Sequence, residues 1–504
     1  MLSLGLTGIE GYTVAVEANV SGGMPVFEVV GLPDAAVRES RERVRAALHN
    51  SGFTMPFTRV VINLAPADTK KTGPVYDLPI ALAVLCASGQ LDQAALDGLV
   101  FLGELSMGGD LAPIRGALPA ALSAVDQGLT QMLLPAQNAP EIACLEGLTV
   151  YPAQSLSQVM AHLKGIAPIP PQAQTTFAAL SAGAVDGNDL QYVIGQHMAK
   201  RALEIAAAGG HSLLMVGPPG SGKTMLARCL PGLLPDMTRE EALETTRIHS
   251  AAGALPPGAG LLTRRPFRAP HHTASLPALV GGGADAHPGE ITLAHNGVLF
   301  LDELPEFPRN VLDGLRQPLE DGRVAIVRSG GRSDFPARAM LVASMNPCPC
   351  GYLGSGVRAC RCGRQQVERY QGRVSGPMLD RIDLRVEVGQ VPAEQIDAGG
   401  ARESSEAVRL RVNAARRLQQ ARYSGTDMNC NAQIGARQLG RFCALNPAAA
   451  RLLNQAVARM GLSMRGRDRV RKVARTIADL AGCEAIAEAH IAEALQYRGA
   501  EGLG

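Results

Sequence analysis

The sequence predicts an α/β fold with a nucleotide-binding core and a helical C-terminal region. Strand-like and helix-like runs alternate over the first 165 residues and again from about 189 to 388. A glycine-rich loop at Gly217–Thr224 separates an apolar run typical of a strand from a run typical of a helix. Beyond about residue 393, apolar residues recur at helical spacing. The predicted domains are 1–165, 188–392 and 393–504, with a Pro- and Gln-rich linker at 166–187.

The individual elements follow from the hydrophobic pattern. In the N-terminal domain, short apolar runs predict strands at Tyr12–Val16, Val26–Val30, Val60–Asn63, Gly98–Leu102 and Gln131–Leu134. Longer runs there predict helices at Asp34–Asn50, Leu78–Leu85 and Leu118–Asp126. In the C-terminal region, the pattern predicts helices at Ala407–Ala421, Pro447–Met460, Asp468–Ala481 and Ile486–Tyr497.

Composition narrows the class of protein. The chain is 46% apolar and 19% charged, which is ordinary for a globular protein. Its net charge of +2 creates no global field that would force nucleic-acid binding, and 4% aromatic residues argue against a platform that stacks single-stranded bases. No apolar run approaches the roughly 18 residues that cross a membrane, and the first residues lack the basic start of a secretory signal. We therefore expect a cytoplasmic protein without a membrane partner.

The loop Gly217–Thr224 matches the pattern G-x-x-x-x-G-K-[ST]. Its glycines allow backbone N–H groups to point at a β-phosphate, and the start of the following helix favours negative charge. Lys223 is expected to reach the β- and γ-phosphates of ATP, and Thr224 to ligate Mg²⁺. The alternative is a glycine-rich turn with an incidental lysine. The residues predicted to bind the nucleotide are Gly217, Pro218, Pro219, Gly220, Ser221, Gly222, Lys223 and Thr224.

Two further strand ends carry polar groups. The run Val298–Leu301 predicts a buried strand, and Asp302 and Glu303 follow it where open α/β sheets place their ligands. Asp302 is expected to hold the Mg²⁺ shell, and Glu303 to orient and deprotonate the attacking water. Asn346 follows another buried run and could bond the γ-phosphate or the water, or simply form an Asn turn. An Asp-Glu pair beside a phosphate loop predicts hydrolysis.

These motifs, with two more segments, resemble a known family. The segments are Asn-Pro-Cys-Pro-Cys-Gly at 346–351 and Ser-Gly-Pro-Met-Leu-Asp-Arg-Ile-Asp at 375–383. Together they look like the magnesium-chelatase-like AAA+ ATPases, and Gly31–Ser40, Asn63–Asp68 and Asp77–Ala81 look like the YifB/ComM branch. The resemblance covers essentially the whole chain. It implies an AAA+ P-loop core, a C-terminal helical lid, and the cofactors ATP and Mg²⁺.

The resemblance also implies residue roles. Asn346 matches sensor 1, Arg381 matches an arginine finger that acts on a neighbouring subunit, and Arg465 matches sensor 2. Arg373 and Arg467 lie nearby in the sequence and are the alternatives to the two arginines. An arginine suits these roles because its forked cation stabilises charge on the transferred phosphoryl group. A finger supplied by a neighbour requires a ring, and the family implies a homo-hexamer.

The family places pore-facing insertions between the phosphate loop and Asp302, where the sequence has Arg265–Thr273 and Gly281–Gly283. A second candidate is the run Val324–Arg332, which predicts a β-hairpin. Arg328 and Arg332 could line the pore and hold DNA phosphates, or could be solvated loop arginines. His271 and His272 have no spacing typical of a metal site, so we expect a structural or subunit-interface role for them.

Four cysteines form a cluster at Cys348, Cys350, Cys360 and Cys362. Tetrahedral Zn²⁺ takes four thiolates, and a cytosolic chain keeps its thiols reduced. The C-x-C spacing is tighter than the usual C-x₂₋₄-C, so reduced loop cysteines are the alternative. The sequence favours a structural zinc.

The N-terminal domain resembles the Lon-protease-type domain, a ribosomal-S5-like α+β fold, at Gly73–Asp77, Gly103–Leu105 and Pro113–Leu118. A Lon protease has a Ser/Lys dyad in these segments. Here Val75 and Leu118 occupy the two positions, and neither side chain can serve as nucleophile or base. The domain is therefore predicted to be a non-proteolytic scaffold.

Several functions remain open from the sequence. The YifB/ComM branch implies a hexameric DNA helicase or translocase for branch migration during homologous recombination in natural transformation. The alternatives are a metal-insertion ATPase of the magnesium-chelatase type, a protein-remodelling AAA+ factor, and a nucleotide-binding regulator that barely turns over. Glu303 and Arg381 argue against the last.

Overall fold

The structure is a computed structural model. It describes residues 1–181, 188–283, 287–328, 331–356, 358–391 and 402–498. The last linker residues, 182–187, and the predicted boundary between 392 and 393 lie outside the described residues.

The N-terminal region forms a seven-stranded mixed sheet. From edge to edge its strands are Val26–Val30, Arg59–Ala65, Glu10–Ser21, Leu2–Thr7, Leu99–Phe101, Gln131–Pro135 and Thr149–Ala153. Glu10–Ser21 runs antiparallel to both of its neighbours, and all other adjacent pairs are parallel. The five predicted strands are present; the pattern missed Leu2–Thr7 and Thr149–Ala153.

The helices of this region cover the two faces of the sheet. Their bounds are Ala35–Asn50, Asp77–Ala87, Ala117–Asp126, Ala139–Ile142 and Leu156–Leu163. The helix Asp77–Ala87 is apolar all round and buried, since it lies between the sheet and Ala35–Asn50. Its one charged residue, Asp77, is compensated by Arg43, whose Nε lies 2.6 Å from Oδ2 of that carboxylate.

The central region contains a five-stranded, all-parallel sheet. Its strands are, in spatial order, Phe267–Arg268, Val298–Leu301, Met340–Met345, Leu213–Val216 and Leu384–Glu387. Met340–Met345 is buried at every position, as expected for a strand covered on both faces. Because the strands are parallel, Gly217, Asp302 and Asn346 follow strands that end at the same edge of the sheet.

Helices and short strands surround this sheet. The helices include His197–Gly209, Lys223–Cys229, Arg239–Ala251, Leu276–Val280, Glu290–Leu293, Arg309–Gly314, Arg316–Asp321, Arg364–Gln371 and Gly376–Leu379. Two antiparallel pairs stand apart from the sheet: Gly281–Gly282 with His287–Pro288, and Arg323–Arg328 with Gly331–Pro336. The predicted hairpin is thus present at the second pair.

The described C-terminal region, 402–498, is helical, as the spacing predicted. Its helices are Ser405–Arg422, Leu439–Phe442, Pro447–Met460, Met464–Leu480 and Glu488–Gln496. They share one apolar core with the central sheet, in which Val412 and Ile477 lie with Leu203 and Leu213. Among the described residues we find no helix with both the length and the apolar character needed to span a bilayer.

The N-terminal region packs directly on the central one. The backbone N–H of Gly116 donates to the carbonyl of Ser250 at 2.9 Å, and Nε of Arg247 donates to the carbonyl of Ile9 at 2.7 Å. Ile9 lies in the turn between the first two strands and is buried in the cluster that contains Phe335 of the hairpin. The described part of the linker lies along the N-terminal region, where Phe177–Ser181 forms a short helix.

Candidate functional site

The phosphate loop joins the strand Leu213–Val216 to the helix Lys223–Cys229. Gly220 and Gly222 have φ of +75° and +90°, a conformation that L side chains rarely adopt. These two glycines let the chain curl so that the helix begins at Lys223. The sequence-predicted order of strand, loop and helix is therefore present at residues 213–229.

Lys223 is the central cation of the site. Its Nζ donates to the carbonyls of Gly217 and Pro218 at 2.7 and 2.9 Å, and to Oδ1 of Asn346 at 3.2 Å. Burial lowers the pKa of Lys223, while the nearby carboxylates of Asp302 and Glu303 oppose this effect. A partly desolvated ammonium interacts strongly with an anion that replaces water around it.

Thr224 and Asp302 form the candidate Mg²⁺ position. Oγ1 of Thr224 donates to Oδ2 of Asp302 at 2.9 Å, so the two oxygen ligands already lie together. The hydroxyl of Ser344 donates to the other carboxylate oxygen of Asp302. A hydroxyl and a carboxylate fit a hard cation that keeps several waters. Ser344 was not among the predicted site residues, although its place two residues before Asn346 on a buried strand was a usable signal.

Glu303 leaves the sheet directly after Asp302. Its φ of 54° is unusual for a non-glycine residue, and its backbone N–H donates to Oδ1 of Asp302 at 3.1 Å. The Glu303 side chain is 55% exposed, so water reaches its carboxylate. Nδ1 of His272 lies 3.6 Å from Oε2 of Glu303, a contact that the sequence did not reveal.

Asn346 is held at the strand end by a neighbouring helix. Tyr370, in the helix Arg364–Gln371, bonds the backbone of Asn346, and burial raises the pKa of Tyr370 to about 12. Nε2 of Gln371 donates to the carbonyl of Pro347 at 3.0 Å. Contacts from one helix to the backbone of Asn346 and Pro347 therefore anchor the amide that faces Lys223.

Gln196 is a further residue near the phosphate loop that was not predicted from the sequence. It has φ of 55° and precedes the helix His197–Gly209. Its Nε2 donates to the carbonyl of Gly389 at 2.6 Å and to that of Ser221 at 3.4 Å. The side chain thus ties the phosphate loop to the end of the last strand, and nothing in the local sequence pattern marks it.

The predicted arginine finger, Arg381, and the predicted sensor 2, Arg465, lie at the other end of the sheet. Arg381 and Arg465 line one cleft together with Ser212 and Asp383, which stand at the amino ends of strands. Nε of Arg381 donates to the carbonyl of Arg316 at 3.1 Å, and its Nη2 pairs with Glu320. A four-residue strand is roughly 13 Å long, so neither arginine faces the phosphate loop of its own chain.

The alternative arginines occupy different surroundings. Arg373 lies near the carboxyl end of the sheet, where its Nη1 pairs with Oε2 of Glu306 at 2.9 Å. Arg467 lies two residues beyond Arg465 in the helix Met464–Leu480 and is half-buried, whereas Arg465 is exposed.

The arginines of the two candidate pore segments are partly paired within the chain. Arg265 binds Glu241 at 2.6 Å, and Arg268 binds both carboxylate oxygens of Glu290 at 2.6 and 2.8 Å. Arg332 is 59% exposed and its Nε lies 2.9 Å from Oδ2 of Asp334 on the same strand. The side chain of Arg328 lies outside the described residues.

The four clustered cysteines converge. Their Sγ atoms all lie within 4.8 Å of one another, and the separations of Cys348 from Cys350 and from Cys360 are 3.4 and 3.6 Å. A Zn–S distance of 2.3 Å places tetrahedral sulfurs about 3.8 Å apart. Backbone N–H groups of Leu353 and Cys362 donate to two of the sulfurs, which favours thiolates. The donor set and its spacing fit Zn²⁺.

Val75 and Leu118 have apolar surroundings. Leu118 is fully buried, and Val75 packs against the same cluster on one face of the N-terminal sheet. The two positions therefore contribute to packing.

Comparison with known proteins agrees with these features. Three family models match: magnesium chelatase, subunit ChlI, at 189–396; subunit ChlI of Mg-chelatase at 16–138; and the ChlI C-terminal model at 402–498. The chain is 46% identical to competence protein ComM of Haemophilus influenzae over 97% of this chain and 95% of that protein. It is 43% identical to YifB of Escherichia coli over 98% and 96% of the two chains.

A more distant match covers less of the chain. The magnesium-chelatase 38 kDa subunit of Rhodobacter capsulatus is 27% identical over 39% of this chain and 54% of that protein. The matches to full-length relatives at more than 40% identity and the three family models agree with the motifs found in the sequence. The chain belongs to the magnesium-chelatase-like AAA+ ATPases of the YifB/ComM family.

Proposed function

We propose that this chain is an ATP-hydrolysing ring motor that translocates on DNA and promotes branch migration during recombination. The observation that carries the proposal is the separation of Lys223 from Arg381 and Arg465 at opposite ends of one sheet. A phosphate site whose arginines face away from it is incomplete in one subunit. It becomes complete when the cleft of one copy meets the phosphate loop of the next, which generates a ring.

Each residue of the site has a distinct role in this proposal. Lys223 neutralises the phosphates, and Asn346 orients the γ-phosphate or the water. Glu303 accepts the proton of the attacking water, since its carboxylate is accessible and adjoins Asp302. Thr224 and Asp302 would hold Mg²⁺, which supplies charge neutralisation at the β- and γ-phosphates. Arg381 and Arg465 of a neighbour stabilise the transferred charge.

DNA is proposed as the substrate on two grounds. The H. influenzae relative is named a competence protein, and the family resemblance implies branch migration on DNA. The hairpin Arg323–Arg328/Gly331–Pro336 projects Arg332 into solvent, where it can contact phosphates. The hairpin base is fixed by the N-terminal region through Ile9.

The other parts of the chain have supporting roles. We propose domains at 1–165, 188–392 and 393–504 joined by the linker 166–187, with the last domain serving as the lid. The N-terminal domain is proposed as Lon-like and non-proteolytic, which the burial of Leu118 supports. The cysteine cluster is proposed to hold a structural zinc, and the assembly to be a cytoplasmic homo-hexamer.

The test is the steady-state rate of ATP hydrolysis without DNA, with single strands and with a four-way junction, each at two salt concentrations. We expect strong stimulation by DNA that weakens at high salt, because phosphate contacts release counterions. If no DNA changes the rate of ATP hydrolysis, the DNA proposal is wrong, while the AAA+ assignment stands.

A metal-insertion ATPase is the second candidate. The similarity to a magnesium-chelatase subunit over 39% of this chain favours it. The same assay separates the two, since a metal-insertion motor would respond to its partner proteins and not to DNA.

A further inference from the structure

The four-cysteine loop is in direct contact with the phosphate loop. Gly351 follows Cys350 and has φ of +84°, and a Cβ built there would overlap with Cδ of Pro219. Cys348, three residues before Gly351, is fully buried. The segment that gathers the sulfurs therefore also forms a wall of the nucleotide site.

A second connection runs through the end of the strand Met340–Met345. The backbone N–H of Gly217 donates to the carbonyl of Met345 at 3.2 Å, and the next residue, Asn346, accepts from Lys223. Cys348 lies two residues further along. The strand end is thus held by the phosphate loop on one side and by the cysteine cluster on the other.

Little else orders the cysteine loop. Among its described residues from 348 to 363, none lies in a helix or strand, and only Cys348 and Gly351 are buried. Apolar burial on this scale does not offset the entropy of ordering such a segment. A metal ion bound by four thiolates can offset this entropy cost. In small metal sites, the free energy of metal binding contributes directly to folding.

We propose that zinc bound by Cys348, Cys350, Cys360 and Cys362 controls the affinity of the phosphate loop for ATP. The inference rests on the nucleotide site proposed above and adds its regulation. Bound zinc holds Gly351 against Pro219 and adds to the contacts of Tyr370 and Gln371 that keep Asn346 beside Lys223. Loss of zinc releases the first contact and weakens the second. Because coupling between two binding sites is reciprocal, bound ATP must in turn retain the zinc.

The experiment measures both directions of the coupling on the full chain. Affinity for a fluorescent ATP analogue is compared for zinc-loaded, chelator-stripped and zinc-refilled protein. Release of zinc to a colorimetric chelator is timed with and without ATP. We expect stripping to weaken nucleotide affinity at least about tenfold, refilling to restore it, and ATP to slow zinc release by a similar factor.

Variants provide matched controls. The double variant Cys360→Ser/Cys362→Ser removes two ligands and leaves residues 346–351 unchanged, so it should lose zinc and bind nucleotide weakly. Cys483→Ser changes an exposed cysteine after the helix Met464–Leu480 and should behave as wild type. Lys223→Ala should keep its zinc, but ATP should no longer slow the release. Circular dichroism checks that each variant is folded.

Three results would overturn the inference. They are purified protein without stoichiometric zinc, stripped protein that binds nucleotide as tightly as loaded protein, and zinc release that ATP does not change. No DNA is present in these assays, so failure of the DNA proposal does not affect them. If zinc-loaded protein binds no nucleotide, both the proposed nucleotide site and its regulation by zinc are wrong.

Discussion

The imidazole of His272 contacts the carboxylate of Glu303, with Nδ1 lying 3.6 Å from Oε2. The two residues come from different strand ends, and 31 positions separate them in the chain. The ring of His272 also meets the edge of Phe307 at 6.4 Å between centroids, so its position is fixed by packing. Glu303 is the proposed base, and His272 restricts where its carboxylate can point.

We expect His272→Ala to lower kcat for ATP hydrolysis several-fold, about three- to tenfold, while KM stays the same. The reason is that Glu303 would lose a neighbour that orients it, whereas the phosphate contacts remain. His271→Ala is the matched control, because the His271 ring lies tilted against His272 with centroids 4.1 Å apart, but its Nδ1 bonds Oγ1 of Thr273. Equal losses in both variants, or a change in KM alone, would count against a positioning role.

Glu303→Gln should abolish hydrolysis while ATP binding persists. Glutamine keeps the shape of the side chain but accepts a proton poorly, so we expect a loss of at least about 100-fold in kcat. The variant should accumulate as an ATP-bound ring on DNA, which gel filtration and filter binding detect. Glu306→Gln is the control. Glu306 forms a partly exposed ion pair with Arg373, so its loss should lower kcat little. Normal turnover by Glu303→Gln would make another group the base.

Mixing two inactive variants tests whether the arginines act on a neighbour. Lys223→Ala lacks the phosphate contact, and Arg381→Ala lacks the finger, so each alone should be inactive. In randomly mixed rings about a quarter of the interfaces combine an intact phosphate site with an intact Arg381. We therefore expect the mixture to recover measurable ATPase activity. A mixture of Arg381→Ala and Arg465→Ala should recover less ATPase activity. Both substitutions lie on the same face of the subunit, so every interface still lacks one of the two arginines. A mixture without activity would contradict action in trans.

The proposed DNA contact is tested on the hairpin. Arg328→Ala/Arg332→Ala should weaken DNA binding and reduce the salt dependence of the binding constant, because two phosphate contacts are lost. Arg323→Ala is the control, since Arg323 is exposed at the other end of the same strand. The readout is DNA affinity at several salt concentrations. Loss of affinity in the control alone would place the DNA elsewhere.

Much of the spatial arrangement of the candidate nucleotide site could be predicted from the sequence because its residues lie in short contiguous motifs. Gly217–Thr224 and the Asp302–Glu303 pair each follow a single strand, and the parallel sheet then brings them to one edge. What could not be predicted is contact between distant segments, such as His272 with Glu303 or Gly351 with Pro219. No local spacing encodes those contacts, since they depend on strand order and on how loops cross the sheet.

The same distinction holds for the N-terminal region. Val26–Val30 was predicted because β-branched residues dominate it, whereas Thr149–Ala153 contains a proline that masks its pattern. In the strand Leu2–Thr7, Leu alternates with smaller residues, and this two-residue repeat could have predicted a strand. Its place in the centre of the sheet, between Glu10–Ser21 and Leu99–Phe101, depends on long-range pairing that the period does not specify.

The last prediction concerns the pH dependence of stability. Burial lowers the pKa of His249 below its ordinary 6.5, and the ring lies 2.9 Å from the carbonyl of Leu293 through Nε2. Between the lowered folded pKa and the unfolded value of 6.5, the unfolded chain binds more protons than the folded one, so stability falls as the pH falls through this interval. We expect the thermal midpoint of unfolding to drop between pH 7.5 and 5.5.

Two variants test whether His249 causes this drop. His249→Gln keeps an Nε2 donor without a titrating ring, so its midpoint should drop less. His197→Gln changes an exposed imidazole and should match wild type. Parallel pH curves for all three proteins would show that His249 does not contribute.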